Sequence, residues 1–372
     1  MGQVDVTSAG FVAVLGAAVL LAWWRVARGR SSRLHRTALA GALLLSALLV
    51  GDGVNSYFSD LPHLSDVVSV VTGPDSLARL DRGDLLAANV AQTSLEFPHG
   101  GVVRLAVPDR GSGFGPSTAL VYLPPQYFAE PLRHFPVVYL LHGSPGSPGD
   151  WIRGGGASRT GSALAADGQP AVIVMPRMSH HWLDDPECVD GIHVRAETHL
   201  LQDVLPAAES AYRTLPGGGD RIIAGMSAGG FCALNLGLRH PDTFGTIIDM
   251  SGLDRPTHAG GTAALFGPGP QGDAAEAAND PSRYAAGLPD HLPVRIWMDA
   301  GRSDHDVIPG LVRLQTVLRS RGIDVRLRIR PGRHTYHVWR PALRQALQWA
   351  LPPPPSAEPM GESSAQLSRA SP

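Results

Sequence analysis

Cysteine is scarce in this sequence: Cys188 and Cys232 are the only two in 372 residues. That is too few for the disulfide framework of a small secreted domain, and neither stands in a CxxC or His-paired spacing that would hold zinc. The pair fits either a single bridge or two separately buried thiols, the usual state of free cysteine. An excess of charge of either sign is missing too. With 31 basic against 33 acidic residues there is no broad positive field to attract nucleic acid, and that class of partner is set aside. Internal repeats are absent, and the abundant Gly and Pro are dispersed without a period, which excludes a collagen-like or low-complexity chain and leaves loop punctuation. At this length one large core is affordable, so one catalytic domain with accessory segments is expected.

Long apolar runs are present at the N-terminus. Residues 9–24, AGFVAVLGAAVLLAWW, are uninterrupted, with Trp23 and Trp24 at the end where interfacial aromatics sit. A second run, Thr37 to Gly51, is short for a spanning helix but extends over Leu34 to Val54 with snorkelling and tilt. Between them stand Arg25, Arg28, Arg30, Arg33 and Arg36, whereas the first flank has no Lys or Arg. The positive-inside rule then puts the connecting loop in the cytoplasm and the rest of the chain outside. A cleaved signal would carry its basic residues before the apolar run, not after it. The expected organisation is a transmembrane hairpin over 1–54 (helices about 9–24 and 35–54), a juxtamembrane linker over 55–90, a catalytic domain over 91–351 and a disordered Pro- and Ser-rich tail over 352–372.

Within 91–351, short apolar or β-branched runs (STALVYL, FPVVYLL, PAVIVMP, RIIAGMS, GTIIDMS, VRIWMDAG, VRLRIRP) alternate with helical patterns such as AETHLLQDVLPAAESAY and VWRPALRQALQWAL. Near-continuous hydrophobic strands imply a mostly parallel sheet covered on both faces, a three-layer α/β domain.

The motif GMSAG, Gly225 to Gly229, follows the strand pattern RIIA and opens a helix pattern. A tight strand-to-helix turn needs small residues at its flanks and holds Ser227 at its tip as a nucleophile. A serine hydroxyl needs a base, and the base an orienting carboxylate, expected in the order Ser, acid, His. RSDHD after VRIWMDAG offers Asp304, at a strand's carboxyl end; Asp306 is the alternative, and Asp299 falls within the strand. Helix N-capping is the plain role for any of these aspartates. PGRHTYHVW offers His334 in a Gly-containing loop and His337 where a helix begins, and His334 is preferred. Two backbone N–H groups are needed for an oxyanion: that of Ala228, and that of Ser144 or its neighbour Gly143 in the loop HGSPG. SHHWLDDPEC gathers His180, His181, Trp182, Asp184 and Asp185 but shows no helical His spacing, so it is expected to rim a cleft or lie at the surface and not to bind metal. Trp151 and Trp182 are the substrate-pocket candidates.

The ordered set LLHGSPGSPGDW, VIVMP, GMSAGGFCALNLGLRHPDTF, MDAGRSD and GRHTYHVW resembles the putative-esterase family that includes esterase D, feruloyl and enterobactin esterases and antigen-85-type mycolyltransferases, over roughly residues 95–350. The resemblance implies an α/β-hydrolase fold. It further implies Ser227, Asp304 and His334 as a triad, the amides of Ser144 and Ala228 as oxyanion donors, no cofactor, and an ester- or acyl-bearing small molecule or lipid as substrate. In the mycolyltransferases the acid is usually Glu and the loop begins Asp-Gly; Asp304 and His142-Gly143 are closer to the esterase branch. Transfer of the acyl group to a sugar or lipid alcohol is the alternative outcome of the same chemistry, and a non-catalytic envelope-binding protein on this fold is a second one.

Overall fold

The computed structural model describes residues 9–28, 33–58, 97–181, 184–258 and 260–353. The expected linker from residue 59, and the tail from residue 354, lie outside them. Two helices come first, α1 (Ala9–Arg28) and α2 (Arg33–Phe58). They pack on each other, with Trp23 Nε1 donating to Ser46 Oγ at 3.0 Å and Ser46 Oγ donating back to the Ala42 carbonyl at 2.8 Å. Gly10–Arg28 is long and apolar enough to cross a membrane by length and composition, and none of it is buried. The apolar part of α2 is the shorter stretch His35–Gly51. The Arg28 guanidinium lies 4.2 Å over the Trp24 ring, a cation–π contact.

An eight-stranded sheet forms the rest: β1 (Gly101–Val107), β2 (Ser117–Leu123), β3 (Val137–Leu141), β4 (Val172–Met175), β5 (Arg221–Met226), β6 (Thr246–Met250), β7 (Arg295–Gly301) and β8 (Asp324–Arg330), in the order β1-β2-β4-β3-β5-β6-β7-β8. β2 pairs antiparallel with β1 and with β4, and every other pairing is parallel. The chain has the α/β-hydrolase architecture. Strands β3, β4 and β6 are buried at every position, which is why they read as continuous apolar runs. β1 is an edge strand; from Val103 it alternates, with Arg104 and Ala106 outward and Leu105 and Val107 inward, and the apolar-run reading passed over it for that reason.

Helices α3 (Ala157–Ala166), α4 (Ala228–Arg239), α5 (Ile308–Ser320) and α6 (Tyr336–Ala350) cover the sheet. One core joins Leu234 and Leu238 of α4 and Leu311, Leu314 and Leu318 of α5 to Val137, Ile247 and Ile296. The other joins Leu164 of α3 and Leu343 and Leu347 of α6 to Val138, Ile173 and Ile248. Burying each such side chain contributes about 1.5–3 kcal/mol.

The stretch expected as one helix over 196–212 is helical but not uniformly so. Ala196–Thr198 and Leu205–Ala211 flank a π-helical turn, His199–Val204. Pro206 has no N–H to continue the α pattern. Within the widened turn the buried Asp203 accepts from His199 Nδ1 at 2.8 Å and from the Arg110 amide at 2.7 Å, fastening the β1–β2 loop.

Candidate active site

Every group of interest lies beyond the carboxyl ends of the parallel strands, where open α/β sheets place ligands. Ser227 follows β5 and precedes α4, at φ 55° and ψ −124°, a conformation that costs a non-glycine residue free energy. The turn is that tight because its flanks carry no side chains. A Cβ on Gly225 would lie 2.0 Å from the Gly229 carbonyl oxygen, and one on Gly229 would lie 2.4 Å from the Leu141 oxygen. The Ser227 amide is spent on the Met250 carbonyl at 2.8 Å, so the strained residue is fixed from behind and its hydroxyl points forward.

His334 Nε2 lies 2.8 Å from Ser227 Oγ, and His334 Nδ1 lies 2.8 Å from Asp304 Oδ2. Two loops make this meeting. The Ser303 amide donates to the Gly332 carbonyl at 2.9 Å, tying the segment after β7 to the one after β8. Asp304 turns its own carbonyl to the amides of Val307 and Ile308, so helix capping falls to its backbone and its carboxylate is left for the imidazole. Trp339 packs edge-on to the His334 ring at 4.9 Å, while its indole N–H donates to Ser251 Oγ at 3.1 Å. Sequence reasoning missed Trp339; its only signal was an aromatic five residues past the histidine, in the first turn of the helix that follows it.

The alternatives separate cleanly. Asp299 is fully buried and receives Arg330 Nε on both carboxyl oxygens at 2.7 Å; burial pushes it up to about 6 against that guanidinium. Asp306 reaches the cleft wall without bonding His334, and His337 is exposed on the first turn of α6.

Ser144 and Ala228 both line the cleft that contains Ser227. Ala228 is the first residue of α4, whose leading N–H groups have no intrahelical partner. His142 shapes the opposite loop. Its Nε2 accepts from the Met178 amide at 3.4 Å, which leaves Nδ1 protonated and donating to the Gly143 carbonyl at 2.8 Å, and burial holds its pKa down, so it stays neutral.

The cleft has a volume of about 360 Å³. Phe231, Leu253 and Val307 give it apolar walls; Asp185, Glu187 and Thr257 add polar ones. Trp151 is not among them, which corrects the expectation for that residue. Ser147 and Asp150 form a capping box that starts a short helix, Pro148–Arg153, and this turns Trp151 inward, fully buried, with its indole N–H donating to the Leu141 carbonyl at 2.9 Å. Trp182 lies outside the described residues. His180 and His181 diverge: His180 Nε2 donates to the Phe114 carbonyl at 2.8 Å, and the His181 amide donates to Asp184. Cys188 and Cys232 are disulfide-bonded.

The family model described as Putative esterase matches residues 115–350. The chain belongs to that family. An uncharacterized protein of Corynebacterium glutamicum is 27% identical over 334 residues, covering 85% of this chain and 76% of its own length. Esterase Rv1288 of Mycobacterium tuberculosis is 32% identical over 137 residues, 36% of this chain and 28% of that protein. Among solved structures, a ferulic acid esterase superposes with a TM-score of 0.59 at 24% identity, over 68% of this chain and 97% of the other, a likeness of fold. The matched residues 115–350 include Ser227, Asp304 and His334.

Proposed function

We propose that this protein is a membrane-anchored serine esterase that works through an acyl-enzyme on Ser227. The observation that carries the reading is the unbroken chain of two 2.8 Å hydrogen bonds, Ser227 Oγ to His334 Nε2 and His334 Nδ1 to Asp304 Oδ2, with the serine held at the tip of a strand-to-helix turn. Family membership supports the reaction class.

Each side chain has one task. His334 Nε2 takes the Ser227 proton as Oγ attacks the ester carbonyl, forming the C–O bond and an oxyanion. Asp304 keeps Nδ1 protonated, so Nε2 is the basic nitrogen, and stabilises the imidazolium that results. The amides of Ser144 and Ala228 receive the oxyanion, aided by the positive end of α4. Collapse of the adduct breaks the ester C–O bond, and His334 returns its proton to the departing alcohol. Water then repeats the sequence on the acyl-serine, releasing the acid and restoring Oγ–H.

Helices α1 and α2 form the anchor, and the catalytic domain stands outside the cytoplasm. Support comes from the arginines between the two apolar runs, the packing of α1 on α2 through Trp23 and Ser46, and a disulfide, which persists in an oxidising compartment. The test of the chemistry is hydrolysis of 4-nitrophenyl butyrate by the full chain in detergent. Wild-type turnover is expected, and Ser227→Ala is expected to fall to the uncatalysed background; equal rates for the two would overturn the reading.

A further inference from the structure

The cleft beside Ser227 is acidic in a way that ester cleavage does not require. Asp185, Glu187, Asp304 and Asp306 all line it, and among the described lining residues none is Arg or Lys. Asp304 is engaged by His334, and Asp306 is exposed at the rim. Asp185 and Glu187 remain, on the loop that follows β4.

Glu187 is the unusual member, with only 3% of its surface exposed. Its Oε1 accepts from the amide of Thr257 at 2.6 Å and from its hydroxyl at 3.3 Å, while Oε2 is buried with no hydrogen-bond partner among the described residues. A carboxyl oxygen removed from water and given nothing in exchange costs stability. Burial pushes Glu187 up to about 8, and the neighbouring charge of Asp185 adds to the rise. Asp185 is itself pushed up by burial, opposed by the Glu187 amide, by the charge of His258 and by the hydroxyl of Ser144. The pair therefore adjoins the loop that faces the scissile carbonyl. Its backbone is held in place as well: Cys188, next in sequence to Glu187, is bonded to Cys232, five residues after Ser227.

Two neighbouring carboxyls, no Arg or Lys among the described lining residues and one unpartnered buried oxygen are the features of a counter-charge site awaiting its ion. We propose that Asp185 and Glu187 form a subsite for a cationic group, so that the ester accepted by this cleft carries an ammonium close to its carbonyl. The assignment rests on the esterase reading of the same cleft. A neutral hydroxyl-rich ligand would satisfy the free oxygen of Glu187 but would leave both carboxyls without a counter-charge, whereas a cation favours their ionised forms against the burial that otherwise keeps the proton on Glu187.

Binding to the full chain in detergent tests this by calorimetry, with choline and its neutral isostere 3,3-dimethylbutan-1-ol as probes. Choline is expected to bind roughly tenfold more tightly at low ionic strength, a preference that shrinks as salt is raised. In the Asp185→Asn/Glu187→Gln variant the two dissociation constants are expected to converge. Should that variant not fold, the salt dependence of the wild-type preference carries the test. Equal binding by the wild type, or a preference that survives both substitutions or is indifferent to salt, overturns the proposal. Because the readout is binding, it stands apart from the hydrolysis of 4-nitrophenyl butyrate: loss of turnover with choline selectivity intact would count against the esterase reading and for the subsite.

Discussion

Cys188 is bonded to Cys232, which joins the loop carrying Asp185 and Glu187 to the helix that begins one residue after Ser227. The bridge closes a span with a sequence separation of 44. A cross-link of that size stabilises by restricting the unfolded chain, about 4 kcal/mol on the loop-entropy estimate. Urea unfolding of the domain with and without reductant is expected to show a loss of that order, with the Cys188→Ala/Cys232→Ala variant unaffected by reductant. Peptide mapping without reductant should recover the two cysteines as one linked pair.

Removing members of the hydrogen-bonded chain should give a graded loss of kcat. Ser227→Ala and His334→Ala are expected to cost roughly 10⁵–10⁶-fold and Asp304→Asn roughly 10³–10⁴-fold, because the last leaves serine and imidazole in place but with the wrong tautomer. Asp306→Asn, with no bond to His334, is expected to cost an order of magnitude at most. If Asp306→Asn lost more than Asp304→Asn, the assignment of the acid would change hands.

Much of this site was legible from sequence because the information is local. Gly225, Ser227 and Gly229 between a buried strand and a helix pattern define a backbone geometry whatever surrounds them. The choice of Asp304 over Asp306 was less local. It depends on the Ser303–Gly332 hydrogen bond between two loops separated by all of α5 and β8, which no pattern in either loop encodes. Trp151 shows the converse: an aromatic beside a glycine-rich loop suggests a pocket, but the Ser147–Asp150 capping box just before it turns the side chain toward the Leu141 carbonyl. Glu187 had no periodicity to reveal it, since its burial comes from Thr257 and from the disulfide next to it. The edge strand β1 was hidden by its alternation.

Substituting at the turn should be costly. Gly225→Ala places a methyl group 2.0 Å from the Gly229 carbonyl, and nothing there is a flexible side chain that can step aside. A loss of roughly 1–3 kcal/mol or more is expected from overpacking, together with loss of activity through displacement of Ser227. Thermal unfolding and turnover of 4-nitrophenyl butyrate check the two parts separately.

The buried Glu187 carries a signature in stability against pH. Its folded value, about 8, lies above the ordinary 4.5, so the folded protein holds this proton more tightly than the unfolded chain. The contribution is fully present below the ordinary value and is lost as pH rises from there through the folded one. Glu187→Gln removes that dependence. Relative to wild type, the variant is expected to gain stability on going from pH 5 to pH 8, measured by urea unfolding at both. A difference between the two proteins that did not change with pH would contradict the burial of an ionisable carboxyl there.

The central claim is an activated Ser227 in a domain outside the cytoplasm, and labelling of intact cells with a membrane-impermeant fluorophosphonate tests it most directly. The account predicts a labelled full-length chain, the adduct located on Ser227 by mass spectrometry, and no label in Ser227→Ala. Folded wild-type protein that takes no label even after purification would contradict the chemistry, and label acquired only after the cells are lysed would contradict the topology.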